Sequence, residues 1–154
     1  MSRPGLLTAG YIVVVFLFAV LANAWTGHEP GWYDALRRPW FQPPDWVFGV
    51  IWPLNFLALG VVGVVLTERA PERSALVFPL VVASVAAALG WAYLFYVPHA
   101  LVAAAYALGV AALLTWVAVG LIASAVWWLG LALIPYAAWL SVATALSFGY
   151  ARLN

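Results

Sequence analysis

The side chains that could carry catalysis or bind a metal are few, and they concentrate in residues 26–45. Five of the eleven charged residues lie in that stretch: Glu29, Asp34, Arg37, Arg38 and Asp45. His28 with Glu29 and Asp34 could be considered as a metal site, but their spacing matches no known ligand pattern, and solvated polar groups in a loop are favoured. No Ser-His-Asp arrangement, glycine-rich phosphate loop or pair of intramembrane carboxylates can be assembled. Since cysteine is also absent, the sequence predicts no catalytic residue and no metal site.

Aromatic residues are the more promising binding groups. The chain contains 10 Trp, and aromatic residues make up 16% of it. Their flat rings can enclose a flat apolar ligand by stacking, with a few polar groups to orient it. His99, which follows Pro98, is a possible haem ligand, although a histidine at a surface turn is usually only solvated. A binding function is therefore favoured over a catalytic one.

The composition decides what kind of fold must position these residues. Hydrophobic residues make up 68% of the chain and charged residues 7%, against about 45–50% and about 25% in an average soluble domain. So few charges could not cover a globule in water, which excludes a soluble enzyme or a nucleic-acid-binding protein. The apolar runs are continuous rather than alternating, which excludes a β-barrel. The sequence predicts an all-α integral membrane protein.

Stretches without charge mark the predicted membrane spans. A helix rises about 1.5 Å per residue, so about 20 residues cross a hydrocarbon core of about 30 Å. We predict one transmembrane domain over residues 1–154, in which a lid loop at about 26–45 joins the first two helices. The first apolar run is long for a signal peptide, so we expect it to be retained. The five predicted helices span about 5–25, 46–67, 75–97, 100–121 and 126–150.

The lid loop is rich in proline and aromatic residues. Its four prolines restrict the backbone, residues 33–36 could form one helical turn, and Asp45 is a good N-cap for the second helix. A rigid aromatic loop is suited to covering a cavity. An aromatic belt at the membrane interface is the alternative, and composition alone does not separate the two.

Helical spacing gathers aromatic and small residues into stripes. On the fifth predicted helix the stripe comprises Pro135, Trp139, Ala143, Leu146 and Tyr150. The stripe on the third comprises Ser84, Ala88, Trp91 and Phe95, and the stripe on the second comprises Trp52, Asn55 or Phe56, and Leu59. Such faces could enclose a flat ligand, whereas ordinary helix packing, which spacing alone favours, is the alternative.

Three motifs carry a resemblance to a known family. Residues 32–52 read WYDALRRPWFQPPDWVFGVIW, residues 135–139 read PYAAW before a terminal RLN, and Trp91 precedes Leu94-Phe95-Tyr96. Together they resemble the TspO/MBR family of tryptophan-rich sensory proteins, which is related to the mitochondrial translocator protein (peripheral-type benzodiazepine receptor). The chain resembles a diverged member, since it departs from the family's usual Asn, Gln, Asn and Tyr at Ala88, Ser84, Ser147 and Asn55.

The resemblance implies a five-helix bundle with a ligand cavity and adds candidate site residues. The cavity is implied at Trp52, Trp91, Trp139, Ala143 and Leu146, beneath a cap of Trp32, Tyr33, Leu36, Pro39 and Trp40. The departures make Ala88 and Asn55 further candidates; Asn55 could contact a ligand or bond to another helix. In the family, the tryptophans matching Trp52 and Trp139 are implicated in tetrapyrrole binding and light-dependent degradation. A proposed sterol motif matches Leu146, Tyr150 and Arg152.

Three functions are consistent with these features. The first is a protein that binds a porphyrin, a sterol or a carotenoid-like molecule for transport, sensing or regulation. The second is light-dependent porphyrin degradation, and the third is a small structural subunit of a larger membrane (pigment–protein) complex. The expected partners are the lipid bilayer, a small apolar ligand and a second copy of the chain, without nucleic acid. No cofactor is obligatory, protoporphyrin IX or haem is a possible ligand, and a bacterial chain would lie in the inner membrane.

Overall fold

The computed structural model describes residues 2–26 and 29–154, and all regular structure within them is helical. Five helices are long and apolar enough to cross a membrane, which confirms the predicted all-α bundle. A short additional helix, α2, lies in the lid loop. The elements in chain order are α1 (Arg3–Thr26), α2 (Pro30–Ala35), α3 (Asp45–Arg69), α4 (Pro71–Tyr96), α5 (Leu101–Ala123) and α6 (Trp127–Leu153).

Proline residues lie at the start of α4 and at the break between α4 and α5. Helix α4 begins at Pro71, four residues before the predicted start, because proline at the first helical position needs no N–H partner and has a suitable φ. The predicted break at residues 97–99 separates α4 from α5. There His99 adopts a φ of 54°, a left-handed conformation that reverses the chain. Helix α6 continues three residues beyond its predicted end, to Leu153.

The helices pack as a ring of four with α1 on its outside. Helix α5 packs against α4 and α6, whereas α3 packs against α4 and α6 from the other side. Between α4 and α5, the Ser84 hydroxyl lies 2.8 Å from the Thr115 hydroxyl and donates to the Ala111 carbonyl at 2.9 Å. These bonds satisfy polar groups where neither water nor lipid can do so.

Helix α1 is fastened to α3 and α4 by a buried tyrosine. The ring of Tyr11 lies against the backbone of Gly63, where a Cβ atom would overlap it. The same ring packs edge-on against Phe78 at 5.0 Å, and its hydroxyl donates to the Ser74 carbonyl at 3.4 Å. Nearby, the Thr67 and Ser74 hydroxyls are 2.7 Å apart. This end of the bundle, distant from the lid loop, is therefore tightly packed.

The outer surface of the bundle is apolar. Large side chains such as Phe16, Leu57 and Leu113 are each about two-thirds exposed, an arrangement that water would penalise and hydrocarbon accommodates. Charged residues lie at the helix ends and in the lid loop. The chain is an integral, multi-pass membrane protein.

Candidate functional site

A cavity of about 540 Å³ lies between α1, α3, α4 and α6, next to the lid loop. Its volume falls within the range of about 300–1,000 Å³ that is usual for small-molecule sites. Helix α5 contributes no residue to its described lining. The lining comprises Phe18, Ala19, Ala22, Asn23, Thr26, Tyr33, Asp45, Phe48, Gly49, Trp52, Pro53, Phe56, Ala88, Trp91, Phe95, Tyr96, Ala143, Leu146, Ser147 and Tyr150.

Two indole rings belong to the largely aromatic wall of the cavity. Trp52 of α3 and Trp91 of α4 are nearly parallel, with 22° between their planes and 6.3 Å between their centroids. Trp91 donates its indole N–H to the Ser147 hydroxyl at 3.2 Å, which fixes the ring relative to α6. The small residues Ala88 and Ala143 line the same cavity. Flat faces beside small side chains favour a flat apolar ligand.

Trp139, an expected site residue, lies behind this wall rather than in it. Its ring packs edge-on against Trp52 at 6.4 Å and against Phe48 at 5.5 Å. Asn55 is also buried and does not line the cavity. The side-chain nitrogens of Trp139 and Asn55 have no hydrogen-bond partner among the described residues.

Of the five predicted cap residues, only Tyr33 lines the cavity. Trp32 stacks on His99 with 3.8 Å between the ring centroids. Leu36 packs into a small cluster around Phe95 and Tyr150. Two further cap residues face elsewhere: Pro39 packs against Gly149, and Trp40 is 95% exposed.

The lid loop is attached to the end of α6 by side chains. Asn154 accepts the backbone N–H of Arg37 at 2.9 Å and donates to the Arg37 carbonyl at 3.2 Å. Tyr150 bonds through its hydroxyl to the Tyr33 hydroxyl at 3.2 Å and to the Gln42 amide oxygen. Helix α6 therefore forms one wall of the cavity and also holds its cover.

One residue of the described lining, Asp45, is charged. Asp45 lines the cavity and forms an ion pair with Arg38 at 3.2 Å, and Arg38 also contacts Asp34 at 3.5 Å. The hydrogen bond to Asp45 raises the pKa of the Arg38 guanidinium above its ordinary high value. Arg38 is therefore charged at neutral pH.

One side of the cavity is open between α1 and α3. The lining residues that remain exposed lie there, on the carboxyl-terminal half of α1 and the amino-terminal half of α3. We call these residues the opening: Asn23, Thr26, Asp45, Gly49 and Pro53. Three of them follow each other at four-residue steps on α3, and so share one face of that helix.

The contribution of α1 is the part of the site that the sequence did not reveal. Phe18, Ala22 and Thr26 line the cavity at four-residue steps. That spacing was available as a signal, but α1 is apolar on all sides, so no stripe stands out. Phe48, Gly49, Pro53, Tyr96 and Ser147 are further lining residues outside the predicted set.

The remaining candidates are arranged as follows. Leu146 and Tyr150 of the sterol motif line the cavity, whereas Arg152 is exposed and does not. His99 lies 3.7 Å from the Glu29 carboxylate and does not line the cavity. His28, from the considered metal site, lies outside the described residues. Within the described ranges, no three His, Cys, Asp or Glu side chains converge as metal ligands.

Comparisons with known proteins agree with this architecture. The model of the TspO/MBR family matches residues 11–153. Protein CrtK of Rhodobacter capsulatus is 32% identical over 146 residues, covering 92% of this chain and 91% of that protein. A tryptophan-rich sensory protein of Cereibacter sphaeroides is 29% identical over 153 residues, covering 93% and 91%. Tryptophan-rich protein TspO of Archaeoglobus fulgidus is 29% identical over 151 residues, covering 92% and 96%.

The family match includes four of the five long helices completely and most of α1, so it spans the walls of the cavity and the lid loop. The relatives are matched over nearly their whole length. The chain therefore belongs to the TspO/MBR family.

Proposed function

We propose that this protein binds a flat apolar ligand in the cavity between α1, α3, α4 and α6, for transport, sensing or regulation. The observation that carries the proposal is the near-parallel pair Trp52 and Trp91 on a cavity of about 540 Å³. A porphyrin or other tetrapyrrole, a sterol or a carotenoid-like molecule has the flat apolar surface that such a wall favours.

The comparisons support a sensing role, because one relative carries the name tryptophan-rich sensory protein. Light-dependent porphyrin degradation is a second candidate, since Trp52 and Trp91 would touch an excited ligand directly. Loss of the bound porphyrin on illumination would indicate degradation, whereas an unchanged complex would indicate binding alone.

A homodimer and a place in a larger pigment–protein complex stay predictions, and bacterial relatives favour the inner membrane.

The test is a titration of the detergent-purified protein with protoporphyrin IX dimethyl ester, followed by quenching of Trp fluorescence. We expect saturable quenching, since the porphyrin would lie against Trp52 and Trp91. In Ala143→Phe the new ring would fill part of the cavity, and we expect binding to weaken by about tenfold or more.

The matched control is Ala145→Phe, which places the same ring two residues away on the exposed face of α6. It should bind the porphyrin like the unmodified protein, and far-UV circular dichroism should show both variants to be helical. Equal binding by Ala143→Phe and Ala145→Phe would place the ligand outside the cavity. Failure of the unmodified protein to bind would contradict the proposal itself.

A further inference from the structure

The charge of the lining bears on which ligands the cavity accepts. Among the lining residues in the described parts of the chain, Asp45 alone carries a charge, and that charge is negative. No arginine or lysine lines the cavity there. A ligand carboxylate would therefore lose water on entry without meeting a cation on the wall, and that loss is costly.

Arg38, the cation next to the opening, is already engaged. It contacts Asp45 at 3.2 Å and Asp34 at 3.5 Å, so two carboxylates share one guanidinium. The group of three side chains carries one net negative charge at neutral pH. An anionic ligand would have to compete for Arg38 with Asp45, the carboxylate on the lining, while being repelled by it.

The backbone near Asp45 adds a further hydrogen-bond acceptor. Pro53 has no N–H, so the carbonyl of Gly49 lacks the donor that a helix normally supplies from four residues onward. Gly49 lies one turn after Asp45 on the same face of α3, and both belong to the opening. Acceptors at this place match a neutral or hydrogen-bond-donating group and oppose a carboxylate.

We infer that the cavity selects ligands whose polar end is uncharged and rejects carboxylates, and that Asp45 is the residue that sets this selection. The inference rests on the proposed function and narrows its ligand class. Neutral sterols, carotenoid-like molecules and esterified tetrapyrroles meet the condition, whereas free tetrapyrrole dicarboxylates do not.

The test compares two porphyrins of the same ring, protoporphyrin IX and its dimethyl ester, by Trp quenching at pH 8 and low salt. The measured quantity is the ratio of the two dissociation constants, in the unmodified protein and in Asp45→Asn. Asparagine keeps the size of the side chain and removes its charge. Asp34→Asn is the control, because Asp34 contacts the same arginine but does not line the cavity.

We expect the diacid to bind at least about fivefold more weakly than the ester to the unmodified protein. Asp45→Asn should narrow this ratio by about threefold or more through tighter binding of the diacid, since the negative charge on the lining would be gone while Arg38 keeps its contact with Asp34. Asp34→Asn should change the ratio by less than about twofold, because its charge lies farther from the ligand.

Two results would overturn the inference while leaving the proposed function intact. One is an equal affinity for diacid and ester in the unmodified protein. The other is a lack of specificity at Asp45: either Asp45→Asn leaves the ratio of dissociation constants unchanged, or Asp34→Asn changes that ratio as much as Asp45→Asn does. Failure of both porphyrins to bind would instead overturn the proposed function, and this inference with it.

Discussion

At the scale of single residues, two buried nitrogens have an energetic consequence. The amide nitrogen of Asn55 and the indole nitrogen of Trp139 have no hydrogen-bond partner among the described residues, although both side chains are at least 94% buried. A buried donor without a partner costs about 1–3 kcal/mol. Each residue should therefore lower the free energy of unfolding relative to an apolar side chain of similar shape.

Asn55→Leu tests this expectation. Leucine resembles asparagine in size and has no donor, so the free energy of unfolding should stay the same or rise by up to about 1–3 kcal/mol. The measurement is a reversible denaturant titration in detergent, followed by circular dichroism. A loss of more than about 1 kcal/mol would contradict the account, because it would mean that the Asn55 amide has a partner.

The companion variant is Ser84→Ala, which removes a buried hydroxyl that does have partners. Because Ser84 bonds to the Ala111 carbonyl and lies 2.8 Å from the Thr115 hydroxyl, its loss should reduce the free energy of unfolding by roughly 0.6–2 kcal/mol. Opposite responses of the two variants would show that the effect depends on hydrogen bonding and not on burial alone.

Individual site residues could be predicted only in part from the sequence. Spacing groups Trp139 with Ala143 and Leu146 on one face of α6, but only the latter two line the cavity. A stripe predicts which face points inward and not which side chain faces empty space. Trp139 fills the layer behind Trp52, and the depth of that layer depends on α3, which spacing along α6 cannot reveal.

At the scale of helices, α1 decides how the site is closed. Helix α1 rests on α3 through Tyr11 at one end of the bundle, while its other half borders the opening. The sequence predicts α1 as a span from its length and apolar character, and these properties carry no information about which face packs inward. That face is set by Gly63, whose missing side chain admits the Tyr11 ring.

Gly63→Ala tests the role of that contact. The added methyl group would overlap the Tyr11 ring, and overpacking of this kind costs about 1–3 kcal/mol. The same denaturant titration should show a loss of that size. Gly60→Ala is the control one turn earlier, where an added Cβ would lie 3.9 Å from Val15, an ordinary contact.

Gly60→Ala should leave the free energy of unfolding unchanged or raise it by about 0.5–1 kcal/mol, because alanine restricts the unfolded chain. If Gly63→Ala were equally harmless, α1 would not be held by the Tyr11 contact. The border of the cavity formed by α1 would then need another explanation.

At the scale of the whole molecule, hydrophobicity predicts that the protein lies in a membrane and that five long helices could span it. Motif positions predict the family. The arrangement of the lid loop could not be predicted in the same way. Trp32 stacks on His99 and Trp40 projects outward, because contacts with α4, with α6 and with the turn between α4 and α5 orient the loop. Contacts between distant segments depend on the assembled bundle and leave little trace in local patterns.

The central claim is that a flat apolar ligand occupies the cavity that α1, α3, α4 and α6 enclose. The most direct measurement is photolabelling of the protein in liposomes with a diazirine-bearing cholesterol analogue, mapped by mass spectrometry. Excess cholesterol separates saturable labelling from contact with dissolved sterol. Helix α5 is an internal control, because it contributes nothing to the described lining.

The account predicts saturable labelling at lining residues such as Phe18, Trp52 and Trp91, and only non-saturable labelling of α5. Saturable labelling confined to the outer face of α5, or labelling that excess cholesterol never reduces, would contradict it.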